Sequence, residues 1–212
     1  MSVVNKTTIK EQVYNVIKHK ILHQEYQLGE KINIDALAVE LQVSNSPIRE
    51  ALMLLARDGL IVSIPNNGVR VISFTEQSFV EIAQTICAML RGGYLLCLEL
   101  GKTNEMIRHM ERHITLQHTA LESHNFHELV QQSILFDKSI ISASQNKYFL
   151  STYERIEDVF YLMILHNNQH GLRDCQKSIE EHQMILYNIK QNNTNEVLRW
   201  LSIHYDKHFI KK

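Results

Sequence analysis

The hydrophobic pattern changes once along this chain, near residue 74. Before that point, helical patterns of apolar residues lead into two β-branched runs, residues 60–64 and 69–72. Beyond it the chain contains no proline, and its apolar residues recur at helical rather than alternating spacing. We therefore predict a mainly α protein with two domains: residues 1–74 combine helices with a small β-hairpin, and residues 75–212 form an all-helical bundle.

The residues that follow Gln42-Val43 have the features of a DNA-recognition helix. Ser44 or Ser46 can cap its N-terminus, and a proline such as Pro47 is tolerated only in a first helical turn. Apolar residues recur at the spacing of one buried face, at Ile48, Leu52 and Leu55. Arg49 is thereby predicted to point outward. A shorter amphipathic helix precedes this one at residues 34–41, so the pair predicts a helix-turn-helix.

The two β-branched runs flank Asn67-Gly68, the residue pair most suited to a type I′ hairpin turn. They predict a β-hairpin directly after the helix-turn-helix. A hairpin in that place forms a wing, and a winged helix-turn-helix indicates a DNA-binding regulator rather than an enzyme.

Three further signals follow one another in this region: the series Pro47-Ile48-Arg49-Glu50-Ala51, the series Asp58-Gly59-Leu60, and Gly68 in the wing. In their order and spacing, roughly residues 8–72 resemble the winged-helix domain of the GntR family of bacterial transcription regulators. The resemblance implies that the partner is double-stranded operator DNA. Because one winged helix covers only a short half-site, we expect a homodimer on a palindromic operator.

The candidate DNA-binding residues are Ser44, Asn45, Ser46, Arg49 and Gly68. The serine hydroxyls can bind phosphates, Arg49 can contact a base or a phosphate, and glycine lets the wing backbone approach the minor groove. Asn45 and Asp35 stand where the family often has arginines. Since arginine reads guanine and asparagine reads adenine, we expect an operator richer in A·T pairs than the usual sites of the family.

The chain beyond residue 74 predicts about six helices, near residues 76–100, 103–123, 126–144, 147–167, 172–191 and 193–210. Residues 136–150, residues 178–185 and a closing helix with His204 resemble the FCD domain, the helical ligand-binding domain of the FadR-type branch of the same family. The resemblance implies binding of a small-molecule effector and dimerisation. Relief of repression by the effector is the expected sign of regulation.

In many members of that branch, an aspartate and a histidine four residues apart bind a divalent metal together with two later histidines. Asp137, His182 and His204 stand at three of these positions, and Ser133 replaces the carboxylate at the fourth. Two histidines and one carboxylate suit one zinc, nickel, iron or manganese ion. Two alternatives stay open: the histidines are hydrogen-bonded core residues, or His208 takes the place of His204.

The effector itself is not identified by the sequence. Acid-binding members of the branch usually carry an arginine where this chain has Ile86, and a carboxylate ligand would need such a bidentate partner. Arg91 or Arg173 could substitute for it, although a solvated surface position suits each of them better. An apolar effector, a metal, or no effector therefore remain alternatives to an organic acid.

Composition restricts these readings further. The chain has 212 residues, 22 lysines and arginines against 23 aspartates and glutamates, and a net charge of −1, so non-specific DNA binding should be weak. Three widely spaced cysteines predict reduced thiols, and neither a signal peptide nor a membrane-spanning run is present, so we expect a cytoplasmic protein. No residue has the setting of an activated nucleophile. Two alternatives are an adaptor of the same fold without operator binding and, less favoured, a metal-dependent hydrolase at Asp137, His182 and His204.

Overall fold

The computed structural model describes residues 8–167 and 172–206. Internal contacts divide the chain into one unit that ends at Phe74 and a second that begins at Thr75. The predicted fold class is confirmed: the first unit combines helices with a two-stranded hairpin, and the described part of the second is helical. No helix within the described residues is both long enough and apolar enough for a membrane crossing.

The first unit is a winged helix-turn-helix. Its elements are α1 (Ile9–Leu22), α2 (Ile34–Leu41), α3 (Asn45–Arg57), β1 (Ile61–Ile64) and β2 (Gly68–Val71). The predicted inner face of α3 is confirmed, since Ile48, Leu52 and Leu55 are all buried. The Tyr14 hydroxyl of α1 donates to Asp58 Oδ2 at 2.8 Å, which holds the end of α3 against α1.

The hairpin turn differs from the predicted type I′ turn. Strand β1 pairs antiparallel with β2 so that Ile64 lies opposite Gly68, and the loop is therefore Pro65-Asn66-Asn67. The amide of Asn67 donates to the carbonyl of Ile64 at 3.0 Å, and Asn66 has a φ of 60°. Proline followed by a residue of positive φ is the pattern of a type II turn. Gly68 begins the strand instead of forming the turn.

The second unit contains helices α4 (Glu76–Glu99), α5 (Thr103–Glu122), α6 (Phe126–Ala143), α7 (Lys147–Asn167), α8 (Leu172–Lys190) and α9 (Thr194–Asp206). These bounds lie within one residue of the predicted ones, except that the last helix is described only to residue 206. The predicted residues 207–210 lie outside the described residues.

Helix α6 lies in the core of this unit, where it packs against α4, α5 and α7. Gly93 makes the approach of α4 possible, because a Cβ atom there would lie 3.3 Å from Ile141 Cδ1 and 3.6 Å from Ile140 Cγ2. Helix α8 packs against α5 and α9, and α9 also packs against α4. Side chains of α5, α6, α8 and α9 therefore meet in the interior.

Candidate DNA-binding surface and buried polar cluster

The two helix-turn-helix helices begin differently. Asn33 caps α2, since its Oδ1 accepts from the backbone amides of Asp35 and Ala36, each at 3.1 Å. Ser44 occupies the same position before α3 but makes no side-chain capping hydrogen bond. The Ser44 side chain is exposed, so its hydroxyl can donate to a phosphate without loss of a cap.

A hydrogen bond joins the starts of the two helices. Asn45 Nδ2, on the first residue of α3, donates to Asp35 Oδ1 at 3.0 Å. Asn45 is half-buried and Asp35 is exposed. Ser46, also exposed, has its hydroxyl 3.5 Å from Glu50 Oε1 one turn later, which is a long hydrogen bond. Asp35 and Asn45, which the resemblance places where the family often has arginines, are thus in direct contact.

Arg49 is exposed one turn after Asn45, and in the described part of the chain it has no ion-pair or hydrogen-bond partner. The other arginines of this unit are engaged: Arg57 Nε lies 3.3 Å from Asp58 Oδ1, and an Arg70 guanidinium nitrogen donates to the Gly29 carbonyl at 2.9 Å. Arg49 is therefore the arginine of this unit that can contact DNA without breaking an internal interaction.

The wing is anchored at its base and exposed along its length. The amide of Ile32 donates to the Val69 carbonyl at 2.9 Å, which attaches the segment before α2 to β2. Gly68 is exposed with a φ of +82°, and a Cβ atom at this position would meet Lys31 Cε at 3.2 Å. Glycine suits this position both for its backbone conformation and for the nearby lysine. A direct role in DNA binding stays a prediction for Gly68 and for each of the other four candidates.

The candidate metal ligands lie in the interior of the second unit, on α6, α8 and α9. Asp137, His182 and His204 are 2%, 0% and 7% exposed. The imidazole rings of His182 and His204 have centroids 4.6 Å apart. Asp137 Oδ2 accepts a short hydrogen bond from the hydroxyl of Tyr205, the residue next to His204. The structure thus places all three predicted residues in one buried polar cluster.

Two further side chains fix the orientation of the imidazoles. Gln117 Nε2 donates to the backbone carbonyl of Gln132 at 3.3 Å, so its Oε1 is the atom that accepts from His182 Nδ1, at 2.9 Å. His204 Nδ1 lies 2.9 Å from Glu181 Oε2. When Nδ1 carries the proton, the neutral ring has its lone pair on Nε2. Such outer partners are typical of metal-binding histidines.

The carboxyl group of Asp137 is held in an unusual state. Burial raises its pKa to about 7, although the hydrogen bond from Tyr205 acts in the opposite direction. Burial and the nearby Asp137 also raise the pKa of the Tyr205 hydroxyl well above its ordinary value. Asp137 Oδ1 is buried and has no hydrogen-bond partner among the described residues. A buried acceptor of this kind is costly unless a proton or a ligand satisfies it.

These donors fit a divalent metal in chemical type: one carboxylate oxygen and two oriented imidazoles. Within residues 8–167 and 172–206, however, no three histidine, cysteine, aspartate or glutamate side chains are close enough together to hold an ion. Ser133 donates to the Leu129 carbonyl at 3.0 Å, so its hydroxyl hydrogen is used on its own helix. The alternative ligand His208 lies outside the described residues.

The guanidinium of Arg91 is engaged with helix α9. It is half-buried, and its guanidinium donates to the Leu198 carbonyl at 3.0 Å and to Ser202 Oγ at 2.7 Å, both on α9. Arg91 is therefore not the fully solvated arginine that the sequence predicted, because it is half-buried and bonded to α9. Ile86, which the resemblance places where acid-binding members usually carry an arginine, is completely buried. The side chain of Arg173 lies outside the described residues.

The comparisons with protein-family models cover both units. The model of the bacterial regulatory proteins of the gntR family matches residues 9–71, and the model of the FCD domain matches residues 96–207.

Three similar proteins align with most of the chain. The HTH-type transcriptional regulator YdhC of Bacillus subtilis (strain 168) is 26% identical over 92% of this chain and 87% of its own length. The gluconate operon transcriptional repressor of Bacillus licheniformis is 24% identical over 90% of this chain and 79% of its own length. A putative transcriptional regulator GntR from Rhodococcus sp. RHA1 has the same fold, with a TM-score of 0.81 over 95% of each chain at 15% identity.

Proposed function

The chain belongs to the GntR family of transcription regulators, in the branch with a C-terminal FCD domain, and from that premise we propose that it is a homodimeric repressor of a palindromic operator. Relatives named as repressors of the gluconate operon support the sign of regulation. The observation that carries the proposal is the exposed start of α3, where Ser44 makes no cap and Arg49 has no internal partner within the described residues.

Operator binding is tested by gel shift and footprinting of the full chain on the promoter region of its own gene, with a scrambled duplex as competitor. We expect a discrete complex of two chains per duplex and a footprint of two-fold symmetry. Binding that is only salt-sensitive and has no sequence preference would support the adaptor alternative. A single chain per duplex would contradict the homodimer.

Arg49→Ala is the variant that tests the surface itself. Loss of one good base or phosphate contact should weaken operator binding about tenfold to a hundredfold. Arg57→Ala is the matched control, because Arg57 lies at the other end of the same helix and is engaged with Asp58. An unchanged footprint in Arg49→Ala would remove this residue from the binding surface.

We further propose that an effector in the helical unit modulates operator affinity. An effector does so only if it binds the DNA-competent and the incompetent arrangement of the dimer with unequal affinity. Titration of the protein–operator complex with divalent metals and with extract fractions measures this difference. If no metal and no fraction changes operator affinity, regulation by an effector is contradicted.

One divalent metal is our proposed occupant of the buried polar cluster, with Asp137, His182 and His204 as its ligands. Because no three such side chains among the described residues are close enough together to hold an ion, binding requires these three to move toward one another. The oriented imidazoles and the buried Asp137 Oδ1 support it. When bound, the metal would supply a positive charge with open positions for water or an effector. Histidine binds in its neutral form, so occupancy should fall as the pH is lowered toward 5.

Elemental analysis of protein prepared without chelator tests the metal proposal. The parent protein should contain about one metal per chain, and His182→Ala should contain much less. His109→Ala is the matched control, since His109 is an exposed histidine of α5. Absence of metal from the parent, or equal metal in parent and His182→Ala, would leave the cluster as hydrogen-bonded core.

A further inference from the structure

The hydrogen bond between Asp35 and Asn45 bears on how the protein recognises a base. This inference rests on the proposed function, in which α3 enters the major groove. Both residues lie in the first turn of their helices, α2 and α3, on the exposed side of the helix-turn-helix. Asn45 Nδ2 lies 3.0 Å from Asp35 Oδ1. A single asparagine side chain at such a position could rotate freely, whereas this one has a defined partner.

The chemistry of the pair fixes which way the Asn45 amide faces. An ionised carboxylate only accepts hydrogen bonds, so the amide nitrogen must point toward Asp35 and the amide oxygen away from it. The nitrogen carries two hydrogens, of which Asp35 takes one. One N–H donor and the oxygen acceptor of Asn45 are then left, side by side, for a base.

Asp35 is itself held in place. The Asn33 cap accepts from the backbone amide of Asp35 at 3.1 Å, and Leu37, two residues later, is buried in the core of the unit. The short connection to α3 passes through Gln42, which adopts a left-handed conformation with a φ of 54°. The backbone that carries Asp35 is thus held by the cap and by the core, and the hydrogen bond to Asp35 orients the Asn45 amide before DNA binds.

Adenine matches the donor and acceptor that remain on Asn45. In the major groove, adenine offers N7 as an acceptor and its N6 amino group as a donor, and asparagine reads both together. Guanine offers two acceptors, N7 and O6, and only one of them could accept from the remaining N–H of Asn45, while the other would face the amide oxygen. We propose that Asp35 and Asn45 act as one adenine-reading unit, in which Asn45 contacts the base and Asp35 is the positioning residue.

The Asp35 carboxylate should also weaken DNA binding that does not depend on sequence. A negative charge at the DNA-facing side repels phosphates and lowers sequence-independent affinity. Asp35 is therefore expected to raise discrimination while it lowers non-specific binding. Removal of a nearby charge alone, as in Glu50→Gln, should raise non-specific binding without a change in base preference.

To test this proposal, the full chain and each variant are mixed with a pool of duplexes that have randomised half-sites, and the bound duplexes are sequenced. The parent should select adenine at one position of each half-site, and Asn45→Ala should lose that preference. Asp35→Ala should reduce the preference for adenine at the same position about tenfold. Asp35→Asn should largely retain it, because the side-chain oxygen still accepts from Asn45 Nδ2, and Glu50→Gln should retain it fully.

The outcomes distinguish failure of the proposed function from failure of the adenine-reading unit. A parent protein that selects no site at all contradicts the proposed function, and the adenine-reading unit with it. A parent that selects a palindromic site, with the same base preference in Asp35→Ala or with guanine at the position lost in Asn45→Ala, contradicts only the adenine-reading unit. Equal losses in Asp35→Asn and Asp35→Ala would also contradict it, since the hydrogen bond would then not be the cause.

Discussion

The two units keep their candidate residues in opposite environments. In the winged helix, Ser44, Arg49 and Gly68 are exposed, and the side chains of Ser44 and Arg49 contribute little to internal packing. In the helical unit, the three candidate metal ligands are at most 7% exposed. A surface residue can be specialised for a partner at almost no cost in folding, whereas a buried polar residue must have its hydrogen bonds satisfied within the fold.

Because its candidate ligands are buried, the helical unit needs the polar residues that surround them. Gln117, Glu181 and Tyr205 each contact one member of the buried polar cluster. Substitution of one partner would leave another polar group buried without compensation. Substitution of a candidate residue in the winged helix should therefore change DNA binding with little change in stability. In the helical unit, substitution of a candidate residue should change ligand binding and stability together.

The largest expected effect is on packing around the cluster. Phe136 is completely buried, and its ring stacks on His182 with centroids 4.2 Å apart. Phe136→Ala should lower the free energy of unfolding by about 3–5 kcal/mol, because it removes buried apolar area and leaves a cavity. Tyr148→Ala is the matched aromatic control, since Tyr148 is 71% exposed and should cost about 0.5 kcal/mol. Urea denaturation measures both, and similar losses would contradict the comparison.

A second, smaller effect follows from Asp137, whose pKa is raised from 3.8 to about 7. Between those two pH values the folded protein binds more protons than the unfolded chain, so this group destabilises the fold progressively as the pH rises. The loss is up to about 4 kcal/mol and is complete above pH 7. In chelated protein, Asp137→Asn should therefore gain stability relative to the parent from pH 4 to pH 8.

The control for this pH dependence is Glu122→Gln, which neutralises an exposed carboxylate of the same unit. Its stability relative to the parent should change little over the same range. Denaturation at pH 4, 6 and 8 gives the slopes. A difference between Asp137→Asn and the parent that is constant with pH would contradict the raised pKa of Asp137.

Much of the fold could be predicted because helix formation leaves a local signal. The bounds of α5 and α6 were readable from apolar spacing and from polar breaks such as Ser123 to Asn125. The wing shows the limit of local signals. Asn67-Gly68 favours a type I′ turn, but the pairing of Ile32 with Val69 fixes the register of β2, and Gly68 falls opposite Ile64.

The surroundings of the candidate sites could not be predicted, since their partners are distant in sequence. Arg91 bonds to Leu198 and Ser202, more than 100 residues away. Gln117 reaches His182 from another helix. No residue spacing in the sequence predicts this contact or the contacts of Arg91. Glu181 was visible beside His182, but nothing in the sequence showed that its carboxylate turns toward His204.

The smallest expected effects concern Asn33 and Ser44, which occupy the N-cap positions of α2 and α3. The two residues should differ in how much they contribute to stability. Asn33→Ala should lower the free energy of unfolding by about 1 kcal/mol, because Asn33 caps α2 with two hydrogen bonds. Ser44→Ala removes no capping bond and should cost at most about 0.5 kcal/mol. Its effect should instead appear in operator affinity, through the lost phosphate contact. Equal losses of stability in urea would show that Ser44 caps α3 in solution and that its hydroxyl is not reserved for DNA.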